Sequence, residues 1–167
     1  MTADDHGHPP GFCRIVFCTD FSENAYGAFA LAVDAAQRNP GAGLTLIHVI
    51  PEPEAQFWRT YIYELDNVDA QARRDIDARI DADYRSRVPA SVPFKVEMRI
   101  GNPAQQILAF LEEAHADLVI MGRQGHGAFE TLLFGNIAGK VARRAACPVL
   151  LIPLDYTRKA GLSPPVE

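Results

Sequence analysis

The stretch Asp117-Leu-Val-Ile-Met-Gly-Arg-Gln-Gly-His-Gly127, followed by Gly135-Asn-Ile137, decides the fold predicted for this chain. Apolar residues from Leu118 to Met121 are typical of a buried strand, and a helical pattern begins after Gly135. The glycines between them allow positive φ angles and close approach of a ligand to the backbone. A helix N-terminus adds unpaired N–H groups that suit a phosphate. The segment therefore predicts a strand, a phosphate-binding loop and a helix.

Strand and helix patterns alternate along the rest of the chain. The predicted strands are 13–19, 44–50, 94–100, 117–121 and 148–153, and the predicted helices are 23–38, about 68–84, one from Pro103, and about 136–145. This alternation predicts an α/β fold, a single doubly wound five-stranded parallel sheet with helices on both faces. We expect one domain over 1–167, with a core at about 12–153 and flexible tails at 1–11 and 154–167.

Composition excludes several classes of protein. The chain has 167 residues and a net charge of −5, whereas general nucleic-acid binding calls for a basic surface. No apolar run reaches the roughly 18 residues that a membrane span needs, and the N-terminus lacks the features of a signal peptide. Cys13, Cys18 and Cys147 are expected to be reduced thiols in or near the core, which predicts a cytoplasmic protein.

Several loop residues follow directly on predicted strands. Asp20, Val49, Gly101 and the glycine loop stand at or after strand ends, where ligands of such sheets bind, so they are expected to line one crevice. Ser22 is the expected N-cap of the first helix. In the helix from Asn136, Ile137 and Val141 are expected to face inward.

Other phosphate-binding and nucleophile motifs do not fit. The nearest match to a Walker A loop, Gly135-Asn-Ile-Ala-Gly-Lys-Val141, is one residue short and lacks the metal-binding hydroxyl. A dinucleotide fingerprint would follow the first strand in the order Gly-x-Gly-x2-Gly, which this chain does not have. There is also no Gly-x-Ser-x-Gly elbow for an esterase nucleophile.

The spacing Gly122-x2-Gly125-x9-Gly135 resembles the universal stress protein family, and the resemblance covers about residues 12–153. Further similar segments occur in the family's order, at 15–22, 46–50, 101–103, 117–122 and 147–152. The resemblance implies a Rossmann-like fold related to that of the adenine nucleotide alpha hydrolases. It also implies that the protein binds ATP, with Mg²⁺ held through the phosphates. It also implies a stress-response module acting as a homodimer.

The resemblance further implies the roles of single residues. Asp20 would contact the nucleoside, Val49 would meet the adenine through its backbone, and Met121 and Gly122 would lie by the ribose. The phosphates would be wrapped by Gly125, Gly135, Asn136 and Ile137. From their position within the loop, Arg123 and His126 are candidates to add positive charge to a phosphate.

Asn136 keeps a second hypothesis open, because the ATP-binding branch usually has a hydroxyl residue there. This alternative is a member of the family that binds no nucleotide and acts through dimerisation by its last strand, 148–152, and through protein contacts. A third reading, an ATP pyrophosphatase, would need a Ser-Gly-Gly-x-Asp-Ser loop where this chain has Thr19-Asp-Phe-Ser22. No general base is evident, so we expect at most slow ATP hydrolysis.

Overall fold

Five parallel strands form one sheet in the computed structural model, which describes residues 11–51, 68–124 and 135–165. The strands are β1 (Arg14–Thr19), β2 (Gly43–Pro51), β3 (Phe94–Gly101), β4 (Leu118–Gly122) and β5 (Val149–Ile152). Their spatial order is β3-β2-β1-β4-β5. The α/β fold predicted from the alternating patterns is confirmed.

Helices cover both faces of this sheet. They are α1 (Glu23–Arg38), α2 (Val68–Asp83), α3 (Pro103–Glu113), α4 (Asn136–Arg144) and α5 (Leu154–Lys159), with a short 3₁₀ turn at Arg85–Arg87. No helix within the described residues is long and apolar enough to cross a membrane. The predicted N-cap is present, because the Ser22 hydroxyl accepts a hydrogen bond from the Ala25 N–H at 3.2 Å.

Two apolar layers sandwich the sheet, because successive residues of a strand point to opposite faces. Ile15 and Phe17 of β1 pack with α1 and α2, whereas Val16 and Cys18 pack with α3 and α4. Tyr84, the largest fully buried side chain among the described residues, lies in the first layer directly after α2.

The strand order reverses at β1, which pairs with β2 on one side and with β4 on the other. Cys18 of β1 is opposite Ile47 of β2 and Met121 of β4. The carboxyl ends of β1 and β4 are therefore neighbours at the topological switch point, where open parallel sheets bind ligands.

The tail predicted from residue 154 onward is wrong for its first part. Residues Leu154–Lys159 form α5, and Thr157 is fully buried against α1. A Cβ atom on Gly27 of α1 would lie 2.6 Å from the Cβ of Thr157, so the glycine is what lets the two helices approach. A helix this short carries too little hydrophobic periodicity to be recognised, and only its packing on α1 defines it.

Two smaller expectations also need correction. Val141 is buried as predicted, but Ile137 is 36% exposed, and Ala138 takes the inward position in the first turn of α4. All three cysteines are free thiols as expected, but Cys13 is exposed rather than in or near the core. The predicted tail at 1–11 lies outside the described residues except for Gly11.

Candidate functional site

A tight turn follows β1 at the switch point. The Asp20 carboxylate accepts a hydrogen bond from the Ser22 N–H at 3.0 Å, and the Thr19 hydroxyl accepts one from the Phe21 N–H at 3.0 Å. Phe21 has a φ of 59°, in the left-handed region that non-glycine residues rarely adopt. Asp20 comes directly after β1, so it lies at the carboxyl end of the sheet, where it is half-buried.

Asn24 in the first turn of α1 ties the ends of β4 and β5 together. Its side chain is 2% exposed; its amide nitrogen donates to the Ile152 carbonyl at 3.0 Å, and its oxygen accepts from the Gln124 N–H at 3.0 Å. A Cβ atom on Gly122 would lie 2.9 Å from the Asn24 side-chain carbon Cγ. Sequence reasoning missed Asn24, although an asparagine inside a helical pattern is a signal, because it is a poor helix former.

The first turn of α4 lies against the end of β4. The Arg123 N–H donates to the Ile152 carbonyl at 2.8 Å, and the Gly135 N–H donates to the Arg123 carbonyl at 2.9 Å. Gly135 is the N-cap and has no side chain with which to cap the helix, and Asn136 is exposed. Because the first N–H groups of a helix have no partner within it, this turn presents backbone donors beside the loop.

Arg123, whose backbone bonds to both Ile152 and Gly135, also carries a charged donor. Its Nε is buried and finds no hydrogen-bond partner among the described residues. A buried, unpaired donor is costly, and an oxyanion is the partner that a guanidinium binds best. The N–H groups of the α4 N-terminus suit an anionic group of a ligand, whereas the Asp20 carboxylate suits a part of the ligand that donates hydrogen bonds.

The side chains of His48 and Tyr84 contact the turn that follows β1. The ring centroids of Phe21 and His48 are 4.6 Å apart, and His48 Nδ1 lies 2.9 Å from the Thr19 carbonyl oxygen. Since that oxygen can only accept, Nδ1 carries the proton. The Thr19 hydroxyl also lies 2.6 Å from the Tyr84 hydroxyl, and burial raises the pKa of Tyr84 to about 12, so the phenol stays neutral.

The structure brings most of the predicted site residues to the carboxyl end of the sheet. Asp20, Met121, Gly122, Gly135, Asn136 and Ile137 lie at or beside the ends of β1 and β4, and Val49 lies near the end of β2. The Met121 and Val49 side chains are buried in the layer of α3 and α4, so these two residues can meet a ligand only through their backbones. Gly125 and His126 lie outside the described residues.

Gly101 does not join this group. It ends β3, the outermost strand on one side of the sheet, and β2 separates that strand from β1. Among the described residues, no group of three His, Cys, Asp or Glu side chains could hold a metal ion.

Comparison with known proteins settles the family. The model of the universal stress protein family matches residues 11–153. This chain belongs to that family. It is 32% identical over 141 residues to a universal stress protein of Thermus aquaticus, covering 84% of this chain and 98% of the relative. A second relative, from Methanocaldococcus jannaschii, is 26% identical over 142 residues and covers 78% of this chain and 84% of its own length.

Solved structures of the family share the fold. A universal stress protein of Lactobacillus plantarum superposes with a TM-score of 0.70 at 26% identity, covering 84% of this chain and 97% of that structure. A universal stress protein in complex with cAMP has a TM-score of 0.56 at 20% identity, covering 86% and 98%. One from Archaeoglobus fulgidus in complex with dAMP has a TM-score of 0.57 at 18% identity, covering 85% and 98%.

Proposed function

We propose that this universal stress protein binds an adenine nucleotide, with ATP as its ligand, at the carboxyl ends of β1 and β4. The observation that carries the proposal is the meeting of three features at the switch point. The α4 N-terminus offers backbone N–H groups, Arg123 has a buried Nε with no partner in the described parts of the chain, and the Asp20 turn follows the neighbouring strand β1. The family members that hold cAMP and dAMP support the same class of ligand.

The proposed ligand would lie along the edge of the sheet. Its nucleoside would contact the Asp20 carboxylate and the backbones of Val49, Met121 and Gly122. Its phosphates would meet Gly125, His126, Gly135, Asn136 and Ile137, where the helix dipole favours negative charge. Mg²⁺ would bind through phosphate oxygens, because no metal-binding cluster of side chains is found in the described parts of the chain. The bound metal would neutralise phosphate charge.

We propose a regulatory role in the stress response rather than rapid catalysis. The Tyr84 phenol beside the Asp20 turn stays neutral, so it does not act as a base. We further propose that the protein acts in the cytoplasm, which the three free thiols support. Nucleotide binding would change a surface that partner proteins recognise.

A second candidate function, protein interaction without nucleotide, is favoured by β5. This strand lies at the edge of the sheet and carries Leu150, which is 42% exposed. An apolar side chain on an open edge suits pairing with a second copy across a two-fold axis. Dimerisation is compatible with either candidate, so ligand content must distinguish them.

The deciding experiment is to purify the protein without added nucleotide, denature it, and identify the released small molecules by mass spectrometry. We expect ATP or ADP in a substantial fraction of the molecules, and a higher melting temperature with Mg-ATP. Protein that releases nothing and shows no thermal shift with Mg-ATP would exclude the first candidate and leave the second.

A variant of the loop tests whether the nucleotide binds where we propose. Gly125→Val together with Gly135→Val should abolish nucleotide binding, because the added side chains would occupy the space of the phosphates. Gly43→Val is the matched control, since a Cβ atom at Gly43 meets nothing within 4 Å and the residue lies at the other end of the sheet. If the double variant keeps its affinity, the phosphates bind elsewhere.

A further inference from the structure

The turn that presents Asp20 is held in a strained shape. Phe21 follows Asp20 directly and has a φ of 59°. For a residue with a bulky side chain this conformation is unfavourable, and it persists only where surrounding contacts hold it in place. The contacts that hold Phe21 therefore also set the position of Asp20.

A buried pair of hydroxyl groups supplies the first of these contacts. The Thr19 hydroxyl accepts the Phe21 N–H at 3.0 Å and lies 2.6 Å from the Tyr84 hydroxyl. Both Thr19 and Tyr84 are buried, so water does not compete for the bond between their hydroxyl groups, whereas the bond from the Phe21 N–H is part-buried. The Tyr84 hydroxyl thus orients the oxygen atom that receives the backbone of the turn.

Arg79 of α2 supplies the second contact. Its guanidinium carbon lies 4.5 Å from the centroid of the Phe21 ring, and Nη2 donates to the Phe21 carbonyl at 3.3 Å. His48 packs on the same Phe21 ring. The conformation of Phe21 therefore depends on Arg79 of α2, on Tyr84 directly after α2, and on His48 of β2.

We propose that Tyr84 is a positioning residue, which acts through Thr19 and Phe21 to hold the Asp20 carboxylate where it receives the nucleoside. Arg79 supports the same turn from α2. This inference rests on the proposed nucleotide binding. It extends the site beyond the glycine loop and links ligand affinity to the docking of α2 on the sheet.

The aromatic ring and the hydroxyl of Tyr84 have separable roles. The ring packs on Phe29 at 4.9 Å and on Phe17 at 5.9 Å between centroids, which is a packing role in the apolar layer. Tyr84→Phe keeps this ring and removes only the hydroxyl. Tyr26→Phe is the matched control, because it removes a hydroxyl from a tyrosine whose ring is 6.4 Å from that of Tyr84.

The test measures the dissociation constants of adenosine, AMP and ATP by titration calorimetry, with folding of each variant checked by urea unfolding. We expect Tyr84→Phe to weaken all three ligands by the same factor, about 3- to 10-fold, as for the loss of one hydrogen bond. Tyr26→Phe should leave them within about twofold of the parent protein. Amide exchange at Phe21 and Ser22 should become faster in Tyr84→Phe alone.

Three results would overturn the inference in different ways. Unchanged affinities in Tyr84→Phe would remove the positioning role and leave nucleotide binding intact. A loss confined to ATP would assign the effect to the phosphates rather than to the Asp20 turn. A parent protein that binds none of the three ligands would refute the proposed function itself, and the positioning role with it.

Discussion

Gly122 is required by packing rather than by its backbone angle. It ends β4 directly beneath the buried side chain of Asn24, which bonds to Ile152 and Gln124. In sequence this glycine is part of a phosphate-loop pattern, and the structure adds a second reason for it. The residue lets α1 approach the end of the sheet closely enough for Asn24 to join β4 and β5.

Gly122→Ala should therefore destabilise the protein. The new Cβ would lie 2.9 Å from the Asn24 side chain and 3.3 Å from the Ala25 nitrogen, so one of the Asn24 hydrogen bonds must lengthen or break. We expect a loss of about 1–3 kcal/mol in the free energy of unfolding, measured by urea denaturation. Gly43→Ala, where a Cβ meets nothing, should change it by less than about 0.5 kcal/mol. Equal effects of the two changes would show that Asn24 tolerates the methyl group.

At the scale of the element, α4 combines two tasks in nine residues. Ala138 and Val141 pack against the sheet, whereas Asn136 and Ile137 are exposed in the first turn. The buried residues of this helix are Ala138, Gly139 and Val141, and Ile137 lies beside that stripe, exposed even though it is apolar. Its exposure places the first turn at the surface, where backbone N–H groups can meet a ligand.

Asn136→Asp tests this end of α4 as an anion site. A carboxylate in the first turn suits the helix dipole but repels a bound phosphate, so helix stability should hold while polyphosphate affinity falls. We expect ATP binding to weaken by at least about tenfold and adenosine binding to change by less than about twofold. Calorimetric titration of both ligands measures the difference.

Ala142→Asp is the control for this charge change, since it adds the same charge on an exposed residue of α4 away from its N-terminus. It should affect ATP binding far less. Equal weakening of ATP by both variants would indicate a general charge effect rather than a phosphate at the first turn.

At the scale of the whole molecule, the sheet has two open edges that differ in their surroundings. The β3 edge carries a charged group in which Arg99 bonds to Glu97 at 2.9 Å and to Glu113. The β5 edge is short, with only four residues, and exposes Leu150. Charged side chains on an edge strand discourage pairing with another chain, so β5 is the edge that suits a homodimer.

Leu150→Asp should therefore convert a homodimer into a monomer. A carboxylate on each copy of β5 would place like charges across the two-fold axis and remove the apolar contact. Sedimentation velocity measures the change. Ile100→Asp is the matched control, because Ile100 is 40% exposed on the opposite edge strand, and this variant should sediment like the parent. A parent protein that is already monomeric would contradict the proposed dimer.

Local pattern alone determined most of the elements and the class of the fold. The apolar runs of β1 to β5 and the helical periodicity of α1 and α2 depend on neighbouring residues, so they can be read without coordinates. The positions of Asp20 and Gly122 at strand ends follow from the same patterns. Their meeting at one switch point was predicted because parallel strands end at the same edge of a sheet.

Only the tertiary structure decided how distant residues meet. Thr19 and Tyr84 are 65 residues apart, and Asn24 and Ile152 are 128 apart, so no sequence window contains either contact. The helix α5 was predicted as a tail because it is defined by the packing of Thr157 on Gly27 rather than by its own periodicity. Long-range packing therefore determined the contacts that hold the candidate site in place, such as Thr19 with Tyr84 and Asn24 with Ile152. The local hydrophobic pattern determined the strands and helices on which the site residues lie.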